Sequence, residues 1–103
     1  MTKTIFEKII LREIPANIHY EDDDVIVIDD INPTAPVHLL IVPKKKIETL
    51  NDLTEDDTKL IGKLFQVAKN MASKMDINKS GYRTIFNCNE DGGQTVYHIH
   101  LHL

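Results

Sequence analysis

Cysteine occurs once in the 103-residue chain, at Cys88, so no internal disulfide can form and a reducing, cytoplasmic setting is expected. No apolar run approaches the ~18–20 residues of a membrane span. The opening Met1-Thr2-Lys3-Thr4-Ile5-Phe6-Glu7-Lys8 carries charge throughout and lacks the apolar stretch of a secretory signal. No membrane partner is therefore expected. Basic charge is also in deficit: twelve Lys and Arg against sixteen Asp and Glu leave −4 at pH 7. That balance lacks the footprint of a nonspecific nucleic-acid binder, although a pocket for one nucleotide needs only local donors. There is no internal repeat, low-complexity tract or Gly/Ser linker. Length and these absences together predict one domain over residues 1–103. Hydrophobic residues at 42% and charged residues at 27% suit a globular chain with one modest core.

What is present reads as alternating signals. Ile5, Phe6, Ile9 and Ile10 share one face of a short helix that should stop before Pro15, and Thr4 with Glu7 is compatible with a capping box. Ile18-His19-Tyr20-Glu21 and Val25-Ile26-Val27-Ile28 read as strands around an acidic hairpin tip, Glu21-Asp22-Asp23-Asp24, better solvated than packed. Asp29 to Pro36 is a loop with two prolines, and His38 to Val42 is a strand stopped by Pro43. Lys44-Lys45-Lys46 is expected to be a solubilising strand exit and not a phosphate site. Thr54 followed by Glu55, Asp56 and Asp57 predicts the start of a long helix. Leu60 to Met75 keep helical spacing along it. Tyr82 to Cys88 and Val96 to Leu103 read as two last strands around an Asn89 to Gly93 turn. The prediction is an α+β domain: an antiparallel sheet of about five strands with one short and one long helix.

Three of the five histidines, His98, His100 and His102, fall in the last six residues and alternate with Ile99, Leu101 and Leu103. A strand's side-chain period of two puts all three imidazoles on one face and the aliphatics on the other. An isolated histidine is by default a half-exposed surface group, and His19 is read so. Three in register next to Gly92-Gly93 are harder to explain that way. Zinc is a second reading. The first and third imidazoles would sit ~13–14 Å apart along the strand, which strains a single tetrahedral centre. The third reading is an acid–base and nucleophile site for an anionic substrate, since imidazole titrates near neutrality and can attack phosphorus and leave again. Gly92-Gly93 allow close approach of a bulky anion, and Asn87, Gln94 and Thr95 offer neutral polar groups to it. These neighbours favour the third reading; no metal or cofactor is called for.

His98-Ile99-His100-Leu101-His102-Leu103 resembles the signature of the histidine-triad (HIT) nucleotide-binding proteins. Asp91-Gly92-Gly93-Gln94-Thr95-Val96-Tyr97 looks like its Hint branch, the nucleoside phosphoramidate hydrolases. So do Thr4 to Ile10 with Glu13-Ile14-Pro15, Asp30 to Pro36, and His38 with Val42-Pro43-Lys44-Lys45. The resemblance runs from about residue 4 to the last residue. It implies a HIT-like fold paired as a homodimer through the long helix and a sheet edge. The implied reaction is hydrolysis of purine nucleoside phosphoramidates or related nucleotidyl adducts to the nucleoside monophosphate, with His100 as the nucleophile. By the same resemblance His98 orients His100, His102 contacts phosphate, and His38 supports the row from the adjacent strand. Asn87, Gly93, Gln94 and Thr95 would meet phosphate or the leaving group. Asp30 would take the ribose hydroxyls, and Ile5, Phe6, Ile9, Ile28 and Ile31 would line the base pocket. Core packing is the competing role for those isoleucines.

Three departures stand out. Thr95 replaces a common serine, Ile28 replaces a common aromatic, and the last aliphatic of the signature with the Gly-Gly-Arg-like tail does not follow Leu103. The rival functions are an AMP- or GMP-binding module with weak or no turnover and, less favoured, a zinc-binding protein.

Overall fold

A computed structural model describes residues 2–103. Helix α1 is Ile5–Ile10, opened by Thr4, whose hydroxyl accepts the Glu7 N–H while the Glu7 carboxylate accepts the Thr4 N–H. Strands β1 (Ile18–Glu21), β2 (Val25–Asp29) and β3 (Leu39–Pro43) follow, then the long helix α2 (Thr58–Lys74) and a two-residue strand β4 (Leu101–His102). The sheet is antiparallel throughout, in the order β1-β2-β3-β4. Among the described residues no helix is long and apolar enough to cross a membrane.

The β-branched run Val25-Ile26-Val27-Ile28 is buried at every position because the sheet is covered on both faces. Val25 and Val27, with Leu39, Ile41, Leu101 and Leu103, pack against Leu64, Val67, Ala68 and Met71 of α2. Ile26 and Ile28, with Leu40 and Val42, pack against Phe6 and Ile9 of α1. Each large aliphatic so buried contributes roughly 1.5–3 kcal/mol, so α2 is held by its apolar face far more than by propensity.

The expected strands and the observed ones differ in three places. Of Tyr82–Cys88 only Ile85 forms a bridge, to His102, so four strands stand where about five were expected. The final strand shrinks from Val96–Leu103 to Leu101–His102. Its earlier part is held instead by irregular main-chain carbonyls: Ile99 N–H donates to Ile47 O at 2.8 Å. The helix after Thr54 begins later than expected, since Glu55–Asp57 form a 3-10 turn first. Thr54 caps that turn, and the buried Asp57 carboxylate accepts the Thr54 N–H at 3.0 Å as the reciprocal half of a capping box.

Two charge runs anchor elements. Lys44 pairs with Glu21 of β1, Lys45 with Asp57, and Lys46 with Glu7 of α1, so the three lysines after β3 tie it to three different segments. The acidic tip is less free than a solvated turn: Asp22 accepts the N–H groups of Asp24 and Val25, and Lys63 of α2 reaches both Asp22 and Asp24 at 2.8 Å. Burial would raise the Asp22 pKa, but these bonds and the Tyr20 hydroxyl outweigh it and hold the carboxyl well below the usual range.

Candidate active site

The histidine row lies on the α1 side of the sheet. Leu40 pairs with His102 and Ile41 with Leu101, and the period of two places His38 on the same face as Leu40 and Val42. His38 therefore meets His102, Nε2 to Nδ1, at 2.9 Å. His100 and His102 stand side by side with ring centroids 5.0 Å apart. Phe6 of α1 closes the other end, its ring edge-on to His100 at 4.8 Å and to His98 at 5.8 Å.

The hydrogen bonds assign a proton to each ring. His98 is fully buried; its Nε2–H donates to Pro43 O at 2.7 Å, and its Nδ1 has no partner among the described residues. His100 Nδ1–H donates to His98 O at 2.9 Å, which leaves the Nε2 lone pair free. The Thr34 N–H donates to His38 Nδ1 at 3.1 Å, so the neutral His38 ring carries its proton on Nε2. That proton points to His102 Nδ1, with Asp30 Oδ2 3.3 Å from the same nitrogen. His102 thus accepts at Nδ1 and presents Nε2–H. Burial lowers the pKa of His98, His100 and His102, so each ring resists becoming a cation.

The row offers a neutral, oriented imidazole nucleophile at His100 next to an N–H donor at His102. It does not converge on one metal as a triple. Asp30, His38 and His102 do bring ligand-type atoms within 4.8 Å of one another. However, His38 Nε2 carries the proton there, and a metal on that nitrogen would force an N–H at Nδ1 against the Thr34 N–H.

The segment before the row is a tight loop. Asn87 Nδ2 donates to Gly92 O at 2.7 Å, Asn89 has φ 58° and Gly93 φ 79°. A Cβ on Gly92 would lie 2.3 Å from Cys88 O, so only glycine fits there. Thr95 is exposed at the end of this loop.

The structure brings together His38, His98, His100, His102, Asp30 and Phe6. Ile9 and Ile28 are buried in one cluster with Phe6, while Ile5 (41% exposed) and Ile31 (83%) lie on the surface. Asn87 and Gly93 belong to the loop. Gln94 is turned inward, with its amide bonded to main-chain groups. Two contributors were not anticipated: the Thr34 N–H and the Pro43 carbonyl. Both are main-chain groups, and no side-chain pattern announces them.

An antiparallel sheet carrying a row of tautomer-fixed histidines, buried at one end, defines a class of site, and comparison with known proteins gives its family. The family model of the scavenger mRNA decapping enzyme C-terminal binding domain matches residues 3–103. The chain is 48% identical over 101 residues to the purine nucleoside phosphoramidase of Escherichia coli K12, covering 98% of this chain and 85% of that one. Its fold matches a HIT family hydrolase from Clostridium thermocellum with TM-score 0.96 at 44% identity, over 100% of this chain and 90% of that one. It matches a HIT family hydrolase from Legionella pneumophila with TM-score 0.95 at 47% identity, over 97% and 89%. The chain belongs to the histidine-triad family.

Proposed function

We propose that the protein is a nucleotide hydrolase that cleaves purine nucleoside phosphoramidates and related nucleotidyl adducts to the nucleoside monophosphate. The observation that carries this reading is His100: buried, resisting protonation, with Nδ1–H held by His98 O and Nε2 free. Similarity to a purine nucleoside phosphoramidase supports the substrate class. In the first step the Nε2 lone pair attacks the α-phosphorus, the phosphorus–nitrogen bond of the substrate breaks, and the amine leaves with a proton from solvent. The His102 N–H stabilises charge on the phosphoryl oxygens. In the second step water attacks the phosphorus of the nucleotidyl-His100, its proton passes to solvent, the bond to Nε2 breaks, and neutral His100 is restored with the nucleoside monophosphate released.

Asn87, Gly93 and Thr95 are read as phosphate and leaving-group contacts, and Asp30 as the ribose carboxylate. Phe6 with Ile9, Ile28, Ile5 and Ile31 forms the wall for the base. Residues 1–103 are read as one domain. The protein is read as a cytoplasmic homodimer paired through α2 and the Tyr82–Cys88 edge. Phe65 of α2, 44% exposed, packs edge-on against Phe86 at 6.0 Å, and Tyr82 is 43% exposed, which supplies apolar area on that side.

The test is His100→Asn assayed on an adenosine phosphoramidate. Turnover should be lost while AMP binding persists. Wild-type turnover by that variant would refute the mechanism.

A further inference from the structure

The resemblance places Gln94 against the substrate, yet the residue is only 7% exposed and its side-chain amide is bonded within the protein. Nε2 donates to Glu48 O at 2.6 Å and to Val96 O at 3.0 Å, while Oε1 accepts the Asn89 N–H at 2.8 Å. Its own N–H donates to Asn89 O at 3.0 Å, so one residue closes the base of the Gly92-Gly93 loop twice. Both amide hydrogens are thereby committed to the main chain.

The acceptor at Glu48 belongs to a short hub. Residues 43–48 receive three bonds from residues 94–99: His98 Nε2–H to Pro43 O, Ile99 N–H to Ile47 O, and Gln94 Nε2–H to Glu48 O. The lysines of the same segment fasten it to α1, β1 and the α2 entrance. The hub replaces the missing strand ladder before Leu101. His98 in turn carries the carbonyl that orients His100.

The geometry points to Gln94 as a positioning residue: it sets the Gly92-Gly93 loop and the His98–His100 segment against the 43–48 hub and does not touch the leaving group. This rests on His100 being the nucleophile. Asparagine would fall short by one methylene, about 1.5 Å, and could not span from loop to hub. Glutamate keeps the acceptor for the Asn89 N–H but loses both donated bonds.

The test uses Gln94→Met and Gln94→Glu with two purine nucleoside phosphoramidates that share the nucleotide and differ in the amine, one unsubstituted and one with a bulky aromatic group. Because misplacement of reacting atoms by about 1 Å costs on the order of 100-fold, kcat should fall roughly 10–100-fold in both variants. The loss should be the same for both amines, with AMP affinity changed by less than about threefold. The imidazole N–H spectrum of His98 and His100 should shift in the variants. Should Gln94→Met not fold, Gln94→Glu carries the same comparison. A loss that differs tenfold between the amines would make Gln94 a leaving-group contact and overturn the proposal. So would unchanged kcat with an unchanged imidazole spectrum. If wild-type hydrolysis did not use His100 at all, the spectrum alone would still report whether Gln94 places that ring.

Discussion

The two ends of the histidine row are held by different means. At the inner end, His98 and His100 are 0% and 7% exposed and each donates to a main-chain carbonyl, Pro43 O and His98 O. At the outer end, His38 and His102 are partly exposed, bond to each other and both lie near Asp30, while His38 alone accepts one loop N–H, from Thr34. A carbonyl can only accept, so the inner tautomers follow from the backbone path. The outer tautomers follow from a chain of side chains whose direction is decided by a single N–H. The inner end is built to fix a lone pair, and the outer end to hand a donor to the substrate with room for adjustment.

The largest expected effect tests the inner end. His100→Ala removes the group that forms the covalent intermediate, and kcat should fall on the order of 10⁴-fold or more. At the outer end His38→Gln leaves the nucleophile intact and should cost roughly 10–100-fold in kcat, what a hydrogen bond to a charged group of about 1.5–3 kcal/mol is worth. Equal losses in steady-state assays would erase the distinction between the two ends. A finer test is Thr34→Pro, which deletes the N–H donated to His38, against Thr34→Ala, which keeps it and removes only the hydroxyl 3.5 Å from the same nitrogen, a group the proline variant also lacks. One hydrogen bond of about 0.5–1.5 kcal/mol corresponds to roughly a 2–10-fold loss, confined to the proline variant.

The smallest effect is on pH. The native pKa values of His98, His100 and His102 are lowered, chiefly by burial, from the usual 6.5. Below pH 6.5 the unfolded chain therefore binds protons that the native one refuses. Stability should decline as pH falls through the window between 6.5 and the lower native values. The acid limb of kcat/KM should lie below 6.5 for the same reason. Thermal melts and rate profiles from pH 5 to 8 check both, and an acid limb above the ordinary imidazole value would contradict the burial of His100.

Much of this arrangement is legible in the residues themselves. Thr4 and Glu7 announce the α1 cap, and both its hydrogen bonds are present. The period of two places His98, His100 and His102 on one side and Ile99, Leu101 and Leu103 on the other, and the same period brings His38 to their face. Alternation predicts a regular strand from Val96, yet the strand is confined to Leu101 and His102, with Leu103 exchanging main-chain bonds with Leu39. Its preceding partners are carbonyls of an irregular segment, and periodicity in one stretch says nothing about what a distant loop offers it. Gln94 illustrates the same limit. Its amide suits a phosphate and two carbonyls equally well, and only the position of Glu48 decides between them. Thr34 and Pro43 act through main-chain groups that every residue, or every residue but proline, possesses.

The central claim is that His100 Nε2 forms a covalent bond to phosphorus. It is tested most directly by the mass of protein quenched during turnover of a slow purine nucleoside phosphoramidate. The wild-type chain should gain one nucleoside monophosphoryl group on the peptide containing His100, at that residue, and His100→Asn should gain none. An adduct on His98 or His102, or wild-type turnover by His100→Asn, would contradict it.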